Sequence, residues 1–396
     1  MNNQLKYSVV RITTVPISLK KLLEGQLRFM SENGLRILGV SSKGKELEEV
    51  SKEEGVVVHE LNMTRMITPL KDLKSLWEFF KFCKKEKPTI VHSHTPKAGI
   101  IGMLGAKLAG VPIRIHTVAG LPLMEAQGGK RKVLDLVEKL TYWASTKVYP
   151  NSKGLYEFIL KNKYTSSRKL KVIANGSSNG INTKYFSISQ VSQEKANSLK
   201  IQLGIQLEDF VFIFVGRLVS DKGLNELVES FKSLSAELCY SQKVKLILVG
   251  SFESDLDPLN EVTLKEIENN PNIITVGFQK DVRPYFAISH ALVFPSYREG
   301  FPNVVMQAGA MNLPAIVSDI NGCNEIIEED KNGIIIPVKN VGAITNAMRK
   351  MVTNIEYYSH LKSHTRMMIT ERYEQHVVWE ALLTEYENLI QEKNNV

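Results

Sequence analysis

Cysteine is nearly missing from this chain. Three occur in 396 residues, Cys83, Cys239 and Cys323, far apart and with no C-x-x-C pair. That spacing supports neither a disulfide framework nor a zinc site, and it fits a reducing cytosol. Long apolar runs are missing as well. The most hydrophobic stretch, "AGIIGMLGAKLAGVP", is interrupted by Lys107 and falls short of the ~20 apolar residues that a membrane span needs. The opening "MNNQLKYSVVRITTV" has no basic region followed by an apolar core and a small-residue cleavage site, so it reads as a first strand. There is no repeat of fixed period. No G-x-G-x-x-G follows a strand pattern, which argues against a dinucleotide oxidoreductase. No basic motif interleaved with aromatics points to nucleic acid.

The composition is that of a globular protein, 43% hydrophobic and 23% charged, and its length suits two domains of ordinary size. Charge is divided unevenly. Residues 1–180 carry 30 Lys and Arg against 15 Asp and Glu, a net of +15; residues 181–396 carry 20 against 27, a net of −7, together the chain's +8. A basic first half is ordinary solvated surface or a face turned toward an anionic partner, such as a membrane surface or a lipid-diphosphate acceptor.

Short β-branched runs alternate with helical patterns throughout. The first half offers "YSVVRITTV", "RILGVSS", "VVVHEL", "TIVHSHT", "RIHTVAG", "KVYPNS" and "LKVIANG"; the second offers "DFVFIFVGR", "VKLILVG", "NIITVGF", "HALVFPS", "LPAIVSD" and "NGIIIPV". Apolar strands alternating with helices predict parallel sheets covered on both faces, hence an α/β protein of two doubly wound domains. The Gly-, Asn- and Ser-rich "IANGSSNGINTKYF" marks the boundary. The expected domains are 1–178 and 179–371, with a C-terminal helix over about 372–396 packing back on the first. Ligands of such sheets sit at the carboxyl ends of the strands, which directs attention to the loops there.

One such loop is "GRLVSDKG". Gly216 allows close backbone approach, while Arg217 and Lys222 precede a helix expected near Leu224. A guanidinium fork and an ammonium at a helix mouth suit a diphosphate, although surface cations near a helix start are common. A second loop is "SYREGFPNVVMQAGA". A helix starting at Pro302 would leave the N–H groups of Asn303 and Val304 free at its positive end, an anion site made of backbone. Glu299 lies just outside; a phosphate would repel it, whereas sugar hydroxyls beside that phosphate would donate to it. Gln307 falls one turn into the helix, facing either the same site or solvent. "SDLDP" contains Asp255-x-Asp257, a magnesium–nucleotide pattern in form, but Asp257 also reads as the cap of a helix beginning at Pro258. His92 and His94 alternate along a strand without a third ligand, so no metal site is expected.

Taken in order, "FVGRLVSDKG", "FPSYREGFPNVVMQAGAMNLPAIVSD", "GCNEII" and "NGIIIP" resemble the donor-binding half of retaining glycosyltransferases of family 4. The likeness continues through "HSHTPKAGIIGMLGAKLAGVPIRIHTVAGLP" and so spans most of the chain. The resemblance implies the GT-B fold, two Rossmann-like domains facing across a cleft, and an enzyme like those of bacterial capsule and surface-polysaccharide synthesis. It implies that Arg217 and Lys222 bind the donor diphosphate and stabilise the leaving group. Glu299 then matches the first glutamate of the E-x7-E motif and holds donor-sugar hydroxyls. Gly216, Gly300 and the backbone of Phe301, Asn303 and Val304 match the donor-binding segments, and His116 matches the cleft histidine near the sugar; on sequence alone His116 also reads as a satisfied strand histidine. The second glutamate of the motif, which takes the ribose hydroxyls, is replaced by Gln307. A neutral acceptor in place of a charged one should cost about 1 kcal/mol. In "TTVPISLKKLL", Pro16 and Ser18 stand where many relatives carry a Gly-Gly turn.

The implied reaction moves a sugar from a nucleotide diphosphate, expected to be UDP, to a hydroxyl of a glycan or lipid-linked saccharide, with no cofactor or metal. The partners expected are the nucleotide sugar, a saccharide or lipid-diphosphate acceptor and an anionic membrane surface, with no nucleic acid, in the cytoplasm or at the inner face of the plasma membrane. A GT-B nucleotide-sugar epimerase and a non-catalytic glycan- or lipid-binding protein are the alternatives.

Overall fold

The structure is a computed structural model that describes residues 7–64, 66, 68–121, 123, 126–238, 243–253 and 257–395. Cys239 and Asp255 lie outside the described residues. The chain divides into two compact units, one of residues 1–180 and 375–396, the other of residues 181–374.

The first unit holds strands β1 (Tyr7–Ile12), β2 (Leu35–Ser41), β3 (Val57–Glu60), β4 (Ile90–Ser93), β5 (Ile113–Val118) and β6 (Lys147–Pro150). They form one parallel sheet in the order β3-β2-β1-β4-β5-β6. Its helices are α1 (Pro16–Leu22), α2 (Gln26–Glu32), α3 (Lys45–Glu54), α4 (Pro69–Glu86), α5 (Pro96–Ala109), α6 (Gly128–Ala144) and α7 (Lys153–Lys161). Successive side chains of a strand point to opposite faces. Val9 and Ile90 therefore pack on one side of the sheet, with α2, while Val10 and Val91 pack on the other, with α4 and α5. Both faces are covered, as continuous apolar strands require.

In the second unit α8 (Gln193–Gln202) leads to β7 (Phe210–Val215), α9 (Leu224–Leu238), β8 (Val244–Val249), α10 (Glu261–Asn269), β9 (Ile273–Gly277) and α11 (Arg283–Ala287). There follow β10 (Ala291–Phe294), α12 (Asn303–Ala310), β11 (Ala315–Ser318), α13 (Cys323–Ile326), β12 (Gly333–Ile336), α14 (Val341–Thr353) and α15 (Ile355–Tyr373). The sheet is again parallel, in the order β12-β11-β10-β7-β8-β9. Finally α16 (Gln375–Asn394) returns to the first unit, where Leu382, Tyr386, Leu389 and Ile390 enter the core beside β1, β4 and β5. Each such aliphatic contributes roughly 1.5–3 kcal/mol by leaving water. Tyr386 Oη lies 2.5 Å from His92 Nδ1, and Tyr149 donates to Glu385 at 2.8 Å, which fixes the helix in register.

Three expectations are corrected. "LKVIANG" is no strand: past β6 it makes a single bridge, Leu170 to Val148, while Ile173 drops into the core. Pro302 caps α12 instead of opening it, because its ψ of 109° is extended. Pro258 does not start a helix; α10 begins at Glu261 with Asn260 as its cap, and Asp257 serves another segment, described below.

Candidate active site

In each sheet the chain order reverses next to the first strand, between β7 and β10 in the second unit and between β1 and β4 in the first. Such a switch point splays the two exit loops apart and opens a crevice at the carboxyl ends of the strands.

At the switch point of the second unit the two loops are tied together. After β7 the backbone runs through Gly216 and Arg217 into a short 3₁₀ turn, Ser220–Lys222. Gly223 then takes φ 71°, and a Cβ there would stand 2.2 Å from the carbonyl oxygen of Pro295 at the exit of β10. Only glycine allows that approach. The Tyr297 N–H donates to the Asp221 carbonyl at 2.9 Å, and the Arg298 guanidinium holds the Asp221 carboxylate at 2.8 Å. Asp257 accepts the Asp221 N–H on its carboxylate at 2.6 Å and the Ser220 N–H on its carbonyl at 3.2 Å. It thus caps this turn instead of its own following helix.

These ties bring Lys222 and Glu299 into contact: Nζ to Oε1 is 2.5 Å, with the side chains only 15% and 17% exposed. Ser296, fully buried, places its Oγ 3.0 Å from the same carboxylate oxygen. Below the carboxylate, Asn321 Nδ2 donates to the carbonyls of Gly300, at 2.5 Å, and Glu299, at 3.2 Å. The next residue, Gly322, has φ 76°, and a Cβ there would meet the Gly300 carbonyl oxygen at 2.6 Å. The Glu299–Gly300 loop is thereby clamped from the loop after β11. Arg217 pairs with Glu253 at 3.0 Å, which raises its affinity for its proton further. It is 46% exposed, so this pair is weak and exchangeable.

The mouth of α12 faces the same loop. No side chain caps its N-terminus, and Asn303 is exposed with Val304 partly so. Phe301 is buried against Tyr373, with ring centroids 5.4 Å apart, and this holds the loop's backbone in place. Gln307 is half-buried one turn further on. Cys323, at the start of α13, is fully buried, and burial pushes its thiol pKa well up, so it stays protonated. The second unit therefore assembles Gly216, Arg217, Lys222, Glu299, Gly300, Asn303, Val304 and Gln307 on strand exits around one switch point. Sequence reasoning missed Glu253, Ser296 and Asn321; the only signal for the last was the turn-forming Asn-Gly pair.

In the first unit the switch point is closed by threonines. The Thr14 N–H donates to Thr95 Oγ1 at 3.0 Å, and Thr14 Oγ1 accepts the Ala98 N–H at 3.2 Å, capping α5 from outside. Where a Gly-Gly turn was looked for, Pro16 opens α1. His116 lies within β5, two residues before its end, and is packed under Gly99 of α5 with Nδ1 2.8 Å from Ser93 Oγ. Burial pushes its pKa down to about 4, so the ring is neutral at physiological pH.

The "HSHT" pair is held by other partners. His92 places its two ring nitrogens against the hydroxyls of Tyr386 and Thr117, at 2.5 and 2.6 Å. Arg11, fully buried on β1, donates from Nε to His94 Nε2 at 3.0 Å, so that nitrogen carries no proton and Nδ1 does. Arg11 also donates to Gln26. Among the described residues no three His, Cys, Asp or Glu side chains gather as a metal site would require.

Comparison with known proteins follows the division into units. Residues 196–368 match the family of glycosyl transferases group 1, and residues 29–176 match the glycosyl transferase 4-like domain. The chain is 32% identical over 393 residues, covering 99% of both sequences, to a capsular polysaccharide biosynthesis glycosyltransferase, CapM, of Staphylococcus aureus. It is 30% identical over 290 residues, 72% of each sequence, to a UDP-Gal:alpha-D-GlcNAc-diphosphoundecaprenol alpha-1,3-galactosyltransferase of Escherichia coli. Among solved structures, a glycosyltransferase of Rickettsia africae shares the fold with a TM-score of 0.79 at 18% identity, covering 97% of this chain and 99% of that one. HepE of Anabaena, in complex with UDP and glucose, does so with a TM-score of 0.76 at 15% identity, over 96% and 100%.

Proposed function

Because this chain belongs to the glycosyl transferases group 1, a GT-B glycosyltransferase in fold and activity, we propose that it is a retaining enzyme of bacterial surface-polysaccharide synthesis. Its donor is a nucleotide-diphosphate sugar, in the first instance a UDP-sugar, and its acceptor a hydroxyl of a lipid-diphosphate-linked saccharide. The relatives support these choices: one is named for a UDP-galactose donor and a diphosphoundecaprenol acceptor, and another for capsule synthesis.

The observation that carries the reading is the contact between Lys222 and Glu299, with the uncapped mouth of α12 beside it. As the glycosidic bond breaks, negative charge grows on the departing diphosphate. Arg217, Lys222 and the free N–H groups of Asn303 and Val304 are preorganised to receive it, at about 3 kcal/mol per well-placed donor. Lys222 has three N–H bonds, so it can keep Glu299 in place and still hold a phosphate. Glu299, steered by Lys222 and Ser296, accepts from sugar hydroxyls. Gln307 takes the ribose hydroxyls as a neutral acceptor. These cations take the place of a metal in the proposal.

The test is to incubate the protein with a panel of nucleotide sugars, with and without a lipid-diphosphate-linked saccharide, in the presence of EDTA. Transfer that requires the acceptor and survives EDTA is expected. A new sugar formed from the donor alone would indicate an epimerase, and loss of all turnover in EDTA would overturn the metal-free reading.

A further inference from the structure

A fully buried charge of the first unit has no counter-ion. Arg11 on β1 is 0% exposed, and among the described residues no carboxylate accepts from it. Its Nε donates to His94 and its Nη2 to the amide of Gln26, two uncharged partners, while Nη1 has no acceptor. A guanidinium keeps its proton even when buried, so it cannot escape the cost by neutralising itself as a lysine or histidine can. Charges held away from water are as a rule paired, because an uncompensated one is expensive.

Both partners of Arg11 lead to one place. His94, just past β4, lines a cavity of about 20 Å³ together with Asn151 past β6, Ser178, and Val378 and Leu382 of α16. Gln26 donates to the Ser178 carbonyl at 3.2 Å and to Asn179 Oδ1 at 3.1 Å, which holds that segment of the lining. Three lining residues carry a buried polar atom with no partner: His94 Nδ1, Asn151 Oδ1 and Ser178 Oγ. Since His94 Nε2 accepts from Arg11, Nδ1 bears the ring proton and is a donor without an acceptor. Ser178 Oγ offers a second proton. The Asn151 amide is held only by a 3.5 Å contact of Nδ2 with the Ala119 carbonyl, at the limit of a hydrogen bond, so a half-turn presents Nδ2 to the cavity. Donors gathered on one small space near a guanidinium call for an acceptor with negative charge. Glu385, which accepts from Tyr149 of the lining, does not supply it, because it is already paired with Lys171. A water would fit the volume but would leave Arg11 uncompensated, and a phosphate would not fit.

We propose that this cavity binds one small inorganic anion of the size of chloride, held by His94 Nδ1, Ser178 Oγ and the Asn151 amide, with Arg11 as the fixed positive charge behind His94. Because the lining joins the exits of β4 and β6 to α16, the bound ion ties the C-terminal helix to the first unit. It is neither donor nor acceptor of the reaction described above and does not depend on that reading.

The experiment follows the full chain by chlorine NMR and by thermal unfolding in sodium chloride, bromide or gluconate at equal ionic strength. The chloride line should broaden when protein is added and narrow again as bromide displaces the bound ion. Either halide should raise Tm by about 2 °C or more over gluconate, which is too large for the cavity, and the rise should follow the logarithm of halide concentration once the site fills. Ser178→Ala should bind chloride about fivefold more weakly, as loss of one hydrogen bond implies, with an unchanged circular dichroism spectrum. Arg11→Met, which puts an apolar chain where the charge was, should abolish both responses; if it does not fold, Ser178→Ala decides. Absence of broadening with the natural protein, a Tm in halide equal to that in gluconate, or responses that Ser178→Ala leaves unchanged would overturn the proposal. So would a crystal grown in bromide whose anomalous map shows only water in the cavity.

Discussion

Lys222 and Glu299 are 77 positions apart, yet Nζ and Oε1 sit 2.5 Å from each other and both side chains are mostly buried. Removing either partner leaves the other's charge poorly compensated and costs more than a surface pair would. The residue types and their loops were legible in the sequence, because a cation pair and a Gly-Phe-Pro helix mouth have local signatures. Their pairing was not, since it depends on β10 lying beside β7, which is a property of the sheet. The roles assigned here make a ranked expectation. Arg217→Ala and Lys222→Ala should each lower kcat by about 100-fold or more, as loss of a preorganised charge donor does. Gln307→Ala should cost only about 1 kcal/mol, expressed mainly in the KM for the nucleotide sugar. Steady-state kinetics check this, and equal losses in all three would contradict the assignment.

At the scale of elements, what could be read from the sequence was the alternation itself. All six runs proposed for the second half are strands; the inner ones are apolar runs buried on both faces, while the edge strand β9 is only partly buried. "LKVIANG" misled because it alternates like a strand but has only a single bridge to β6. Asp257 misled because its cap acts across 36 residues, and capping rules read only the adjacent helix. Helix α6 supplies a test of burial. Glu138 is buried there, and loss of hydration pushes its pKa up to about 7 from an ordinary 4.5. The folded state then holds its proton more tightly than the unfolded chain does. Stability is unaffected below about pH 4 and falls as pH rises through the interval to about 7. Glu138→Gln should therefore stabilise the protein by about 3 kcal/mol at pH 8 and by almost nothing at pH 4. Urea unfolding at the two pH values checks it; a gain independent of pH would contradict it.

For the molecule as a whole, the second unit is one continuous stretch of chain with a core of its own, whereas the first needs α16 from the far end of the sequence. Residues 181–374 expressed alone should unfold in a single cooperative transition and bind UDP within about tenfold of the full chain. Calorimetry would show this, and an aggregated or non-binding fragment would contradict it. The first unit, cut before Gln375, would lose Leu382, Tyr386, Leu389 and Ile390 from its core, so its independence is not expected.

The central claim is that the Arg217, Lys222 and Glu299 site transfers a sugar with its anomeric configuration kept. The most direct measurement is the anomeric proton–proton coupling and carbon–proton coupling of the purified product by NMR, using a donor of known configuration. A product whose transferred sugar has the configuration it had in the nucleotide sugar is predicted; a product with the opposite configuration would contradict the account.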